Sequence, residues 1–210
     1  MFTEIPVLHD DGEVLVVCKP TGLLTVPGRR PELQDCLWNR LRDRFPEREV
    51  KLVHRLDRDT SGLILFAFTR DAQATLGRQF ERRKVHKEYV ALVHGALSES
   101  EGTVEGPIRK DWSRHDMPFY TVCQEKGRSA VTRFRVEARE GEATRVRLFP
   151  ETGRSHQLRV HMRHLGHPIV GDPIYGPPEP EVSLRLCAQV LGFRHPTTGE
   201  ALRFEVACPF

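Results

Sequence analysis

An α+β fold is predicted by two features of the chain: hairpins written in period-two patterning, and helical-period segments that stand apart from them. Residues 129–138 and 143–149 alternate apolar with polar side chains around a Glu140-Gly141-Glu142 turn, as a half-exposed antiparallel hairpin does. Segments 185–193 and 201–207, joined by His195-Pro196-Thr197-Thr198-Gly199, predict another. The 210 residues suffice for one substantial core or for a domain with two lobes, so one domain over residues 1–210 is expected.

The elements follow in order. Val14 to Cys18 is a short β-branched run closed by Lys19-Pro20 and turned by Thr21-Gly22, a buried strand that runs into a loop ending at Pro27-Gly28. Asp35 is the expected N-cap of a helix in which Leu37, Trp38, Leu41 and Phe45 recur at helical spacing before Pro46 stops it. Trp38 therefore belongs to the core and is no platform for a base. Residues 63–68 form an apolar strand. Residues 71–81 follow as a helix with Ala72, Leu76 and Phe80 on one face, and 85–93 has strand composition up to Gly95. Ser155 is the expected cap of a last helix through His164, ended by Gly166.

Charge and cysteine usage exclude several classes. Lys+Arg 32 against Asp+Glu 29 gives a formal charge of +3, too small a balance to prove a nucleic-acid partner. Cys18, Cys36, Cys123, Cys187 and Cys208 are odd in number and include no C-x-x-C pair, which argues against a disulfide framework and a thiolate zinc site. No charged-then-apolar leader opens the chain, and no apolar run nears the roughly 18 residues that span a bilayer. A soluble cytoplasmic protein is expected.

The chemistry concentrates at His54-Arg55-Leu56-Asp57-Arg58-Asp59-Thr60-Ser61-Gly62. Asp57 stands between two arginines and next to the apolar segments 52–53 and 63–68, which predicts an acid at a turn close to buried surface. Desolvation raises such an acid's pKa and a guanidinium lowers it, so Asp57 is a candidate nucleophile or base. The alternative is a turn-stabilising ion pair of Arg55 or Arg58 with Asp57 or Asp59. Asp57 and Asp59 are two apart, so a glycosidase pair stays open on distance alone, although basic flanks suit phosphate better. Ser61 and Ser155 lack a nucleophile elbow. His156, His161, His164 and His167 lie close in sequence, but without a carboxylate or H-E-x-x-H spacing no metal is expected. Arg82, Arg83, Lys84, His86 and Lys87 lead directly into Tyr89, which makes phosphate contact the better reading of that run. Residues 109–118, with Trp112 among basic side chains, read either as an RNA-contacting loop or as a long polar connection.

These residues carry a resemblance. Residues 54–62 look like the catalytic motif of the RluA-type pseudouridine synthases, 87–95 resemble that family's tyrosine motif, and 152–161 its third motif. Residues 19–29 and 166–176 are similar to further family segments, so the likeness runs from about Val14 to the C-terminal strands. It implies a mixed, mostly antiparallel bent sheet with flanking helices, and isomerisation of uridine to pseudouridine in a stem-loop of large-subunit ribosomal RNA, of tRNA, or of both. By the same resemblance Asp57 is the essential aspartate, Arg154 pairs with it, and Tyr89 stacks on the uracil. Leu158 packs near the base, and Arg55 enters the RNA where the target has flipped out. Arg58, Arg83, Lys84 and Lys87 complete the RNA-binding set. The chemistry implies no cofactor and no metal, and a monomer with no obligate protein partner is expected. Two departures are visible: no room precedes Val14 for an N-terminal S4-type RNA-binding domain, and Cys187 stands where a histidine is expected before Ala188. The competing function is an RNA-binding or ribosome assembly module without catalysis.

Overall fold

The computed structural model describes residues 4–114 and 118–210, which fall into two compact units. One comprises the chain up to Lys87 together with Cys187–Pro209, the other Glu88–Leu186 with Phe210. In chain order the elements are β1 (Val7–Asp10), β2 (Val14–Lys19), α1 (Leu37–Arg44), β3 (Lys51–Leu52), β4 (Ser61–Ala67) and α2 (Arg70–Glu81). Then come β5 (His86–His94), β6 (Glu101–Glu105), β7 (Ile108–Asp111), β8 (Phe119–Val122), β9 (Val131–Glu140) and β10 (Ala143–Pro150). The chain closes with α3 (Gln157–His164), β11 (Leu186–Arg194) and β12 (Ala201–Glu205).

The first unit is organised around β4, which is buried at every position because its run of Leu63, Ile64, Leu65 and Phe66 has no polar face to offer water. Strand β2 pairs antiparallel along one side, from Val14 opposite Ala67 to Lys19 opposite Gly62. The parallel partner β11 takes Ser61 and Gly62, while β3 takes Phe66 and Ala67. Helix α2 adds Ala72 and Leu76 to the cluster formed by Val14, Val16, Leu63, Leu65, Leu191 and Phe193. The predicted C-terminal hairpin is present, with β11 and β12 antiparallel from Val190 opposite Glu205 to Arg194 opposite Ala201.

The second unit is an antiparallel sheet in the order β5, β10, β9, β6, with β7 and β8 paired as a separate ribbon. Period-two burial along β10 sends Thr144, Val146 and Leu148 inward, onto a cluster with Ala91, Val93, Phe134 and, from α3, Leu158 and Met162. A smaller cluster joins Ile108, Phe119, Ala130, Val160 and Tyr175.

Three expectations need correction. Cys36, not Asp35, stands at the N-cap of α1: its backbone is the extended one, and its Sγ accepts the Asn39 N–H at 3.4 Å. Asp35 instead takes the Arg40 guanidinium in two hydrogen bonds of 2.6 Å. Nor does Ser155 cap α3, because the chain turns one residue later, at His156 with φ 55°, with no side-chain cap. Finally, the segment read as a loop over 109–118 opens inside a hairpin, since Ile108 to Asp111 pair with Val122 to Phe119. Residues 115–117 of that segment lie outside the described ones.

Candidate active site

Asp57 is half-buried in the irregular segment between β3 and β4, and side chains from the β2 turn hold the backbone on both sides of it. Thr25 Oγ donates to the Leu56 carbonyl at 2.8 Å and accepts the Leu56 N–H at 3.2 Å. Thr21 Oγ donates to the Asp59 carbonyl at 2.7 Å. Lys19, fully buried, donates from Nζ to the carbonyls of Pro20 (2.9 Å), Leu23 (2.7 Å) and Arg58 (2.8 Å). Three acceptors match the three protons of an ammonium. Burial pushes the Lys19 pKa down to about 8, with the nearby Asp59 and Asp57 opposing that fall. On residue chemistry alone the 19–29 segment reads as an ordinary strand and loop, so these three roles went unread. A lysine ending an otherwise apolar strand was the one available signal.

The turn-stabilising alternative finds little support in Arg58. Its guanidinium lies 3.9 Å from Asp59 at 61 % side-chain exposure, where an ion pair contributes little. Its Nε donates instead to the Gly22 carbonyl at 3.2 Å. Arg55 is exposed. His54 anchors the start of the segment: its Nε2 accepts the Leu65 N–H at 3.0 Å and its ring stacks on Phe80 with centroids 4.5 Å apart. Burial pushes the His54 pKa down to about 3, aided by the Lys87 charge. The basic run is thus not uniform. Arg82, Arg83 and Lys84 are exposed where α2 ends, with Arg83 left-handed at φ 56°, whereas Lys87 is half-buried and its pKa lowered by desolvation and by Arg83.

In the second unit, Tyr89 lies opposite Leu148 and packs against the apolar cluster that contains Leu158. These two predicted residues are brought together. Arg154 sits in the loop before α3, its Nε donating to the Ser129 carbonyl at 2.9 Å and its N–H to Gln157 Oε1 at 3.0 Å. Gln157 also accepts from Thr152 Oγ and donates to Val131 O and Thr132 Oγ, so it ties the Arg154 loop to the start of β9.

Two histidines of this stretch, His156 and His161, are held in hydrogen bonds of their own. His161 must carry its proton on Nε2, because the Gly106 carbonyl at 2.9 Å can only accept, and its Nδ1 meets Thr132 Oγ. The Tyr175 hydroxyl accepts the Tyr120 N–H at 3.0 Å and shares a hydrogen bond with His156 Nδ1 at 2.8 Å. Among the described residues no group of three His, Cys, Asp or Glu side chains is placed to hold a metal ion.

The model of the RNA pseudouridylate synthase family matches residues 13–164. The chain belongs to that family. It is 47% identical over 209 residues to the dual-specificity RNA pseudouridine synthase RluA of Vibrio cholerae, covering 98% of this chain and 84% of that protein. The Escherichia coli K12 protein of the same name is 44% identical over 208 residues, covering 97% and 93%. Among solved structures, human RNA pseudouridylate synthase domain containing 1 superposes with a TM-score of 0.82 at 30% identity, over 99% of this chain and 84% of that one. Membership in the RNA pseudouridylate synthase family makes this chain an isomerase, and favours that reading over a glycosidase and over an RNA-binding module without catalysis. No helix of the described residues is long and apolar enough to cross a membrane.

Proposed function

We propose that this pseudouridine synthase modifies uridines in stem-loops of both ribosomal RNA and tRNA, in the cytoplasm, as a monomer and as one catalytic domain. The two-RNA reading is supported by relatives named dual-specificity that align along nearly the whole chain. In the reaction the N1–C1′ bond of uridine breaks, the base turns, and a C5–C1′ bond forms while the C5 hydrogen is given up and N1 gains a proton. Atoms balance, so no redox partner or cofactor is required.

Asp57 serves as nucleophile or as base, Tyr89 stacks on the uracil and assists at the C5 proton, Arg154 supplies the countercharge, and Leu158 lines the base. Arg55, exposed on the Asp57 segment, fills the space that the extruded base leaves, with Arg58, Arg83, Lys84 and Lys87 on phosphates. The observation that carries this reading is the stapling of Leu56, Arg58 and Asp59 by Thr25, Lys19 and Thr21. A carboxylate that must meet one carbon of a sugar or a base gains from a backbone fixed on both sides of it.

Asp57→Asn tests the assignment, because the amide keeps the shape and removes the ionised oxygen. Tritium release from 5-tritiated uridine in stem-loop RNA should vanish, while RNA binding stays within a few-fold. Release near the wild-type rate refutes the role of Asp57.

A further inference from the structure

Trp112 is 69% exposed, one of two large apolar side chains left in water among the described residues. The other tryptophan is half-buried and donates its Nε1–H to the Val50 carbonyl at 2.7 Å, so only Trp112 lacks a packing explanation. Its surroundings are cationic. Lys110 Nζ lies 3.8 Å from the centre of the indole, over one face of the ring, and Arg109 and Arg114 flank it in sequence. Asp111, the one acid from 109 to 114, is turned onto the Ser113 N–H (3.0 Å) and hydroxyl (2.7 Å), which fixes the turn after β7. The base of the arm is firm as well. Ile108 and Phe119 are buried in one cluster, and the guanidiniums of Arg114 and Arg163 lie 4.7 and 5.3 Å from the Phe119 ring centre.

We propose that Trp112 is a stacking platform for an unpaired base of the RNA substrate outside the reacting uridine, with Lys110, Arg109 and Arg114 on the adjoining phosphates. This rests on the reading that the chain acts on RNA stem-loops. An indole fixed by an ammonium on one face and largely exposed suits the flat face of an unpaired base, and the neighbouring cations suit the backbone that carries it. An apolar protein partner fits less well, since the ring stands among cations.

The test uses the full chain as Trp38→Phe, which leaves Trp112 as the sole tryptophan, excited selectively at wavelengths where tyrosine does not absorb. An anticodon stem-loop should quench its emission saturably, and a fully paired duplex of equal length should quench it several-fold less. Trp112→Ala should raise KM for the stem-loop by roughly 5- to 100-fold, the effect of losing one base–aromatic stack, with kcat within about two-fold and with Trp112→Phe restoring most of the loss. Equal quenching by the duplex, or an unchanged KM in an enzyme that still forms pseudouridine, overturns the platform and leaves the proposed function standing. Failure of the wild-type chain to form pseudouridine in any stem-loop overturns the function itself, and this inference with it.

Discussion

His54 shows how a residue of the 54–62 segment supports the fold as a neutral group. It accepts the Leu65 N–H on Nε2 and is stacked on Phe80, and burial together with Lys87 pushes its pKa from 6.5 down to about 3. In the window between those values the unfolded chain binds a proton that the folded chain refuses, so stability is full above pH 6.5 and is lost as pH falls below it. Unfolding free energy should therefore drop by up to about 1.4 kcal/mol for each pH unit in that window. His54→Gln keeps an acceptor for Leu65 and does not titrate. Urea denaturation at pH 7, 6 and 5 should give a shallower fall for the variant, and parallel curves would show that His54 does not charge on unfolding. At this scale the placement of Asp57, half-buried at an irregular segment beside β4, was legible, because an acid between arginines and beside apolar segments is written in the sequence. Lys19 was not, because it acts on three backbone carbonyls, and no side-chain pattern marks a carbonyl in need of a donor.

At the scale of elements, β4 meets β2 along its length and β11 only at Ser61 and Gly62, and this short parallel contact sets a strict demand. Gly62 has φ +106°, and a Cβ there would lie 2.3 Å from the Ala188 carbonyl oxygen. Neither backbone can yield without breaking the pairing. Gly62→Ala should thus cost about 2–4 kcal/mol through backbone strain plus a clash with main-chain atoms. An unchanged urea midpoint would contradict the β4–β11 register. The long strands and all three helices were legible, since burial on one face imposes a period of two or of about 3.6. The caps were each read one residue early, Asp35 for Cys36 and Ser155 for His156, because a cap is chosen by where the chain leaves the extended region, and two adjacent polar side chains do not encode that. The β7–β8 ribbon was missed because its strands are four residues each and polar at Arg109, Lys110 and Asp111, so no alternation stands out.

Across the whole molecule the formal charge is only +3, so attraction to RNA has to come from where the cations are placed. Composition could not reveal the partner, whereas three motifs in the right order could. The run after α2 supplies three exposed cations, Arg82, Arg83 and Lys84, while desolvation already disfavours the charge of half-buried Lys87. If the exposed ones lie on phosphates, each lost contact flattens the dependence of log K on log salt by about 0.7 for single-stranded RNA. Arg83→Glu together with Lys84→Glu should then weaken binding of ribosomal and tRNA stem-loops alike and reduce the slope by roughly 1 to 2. A loss confined to one of the two RNAs would mean that the run reads shape or sequence instead of charge. An unchanged slope would make 82–84 a solvated helix end, and would leave Arg109, Lys110 and Arg114 as the stronger candidates for the phosphate path.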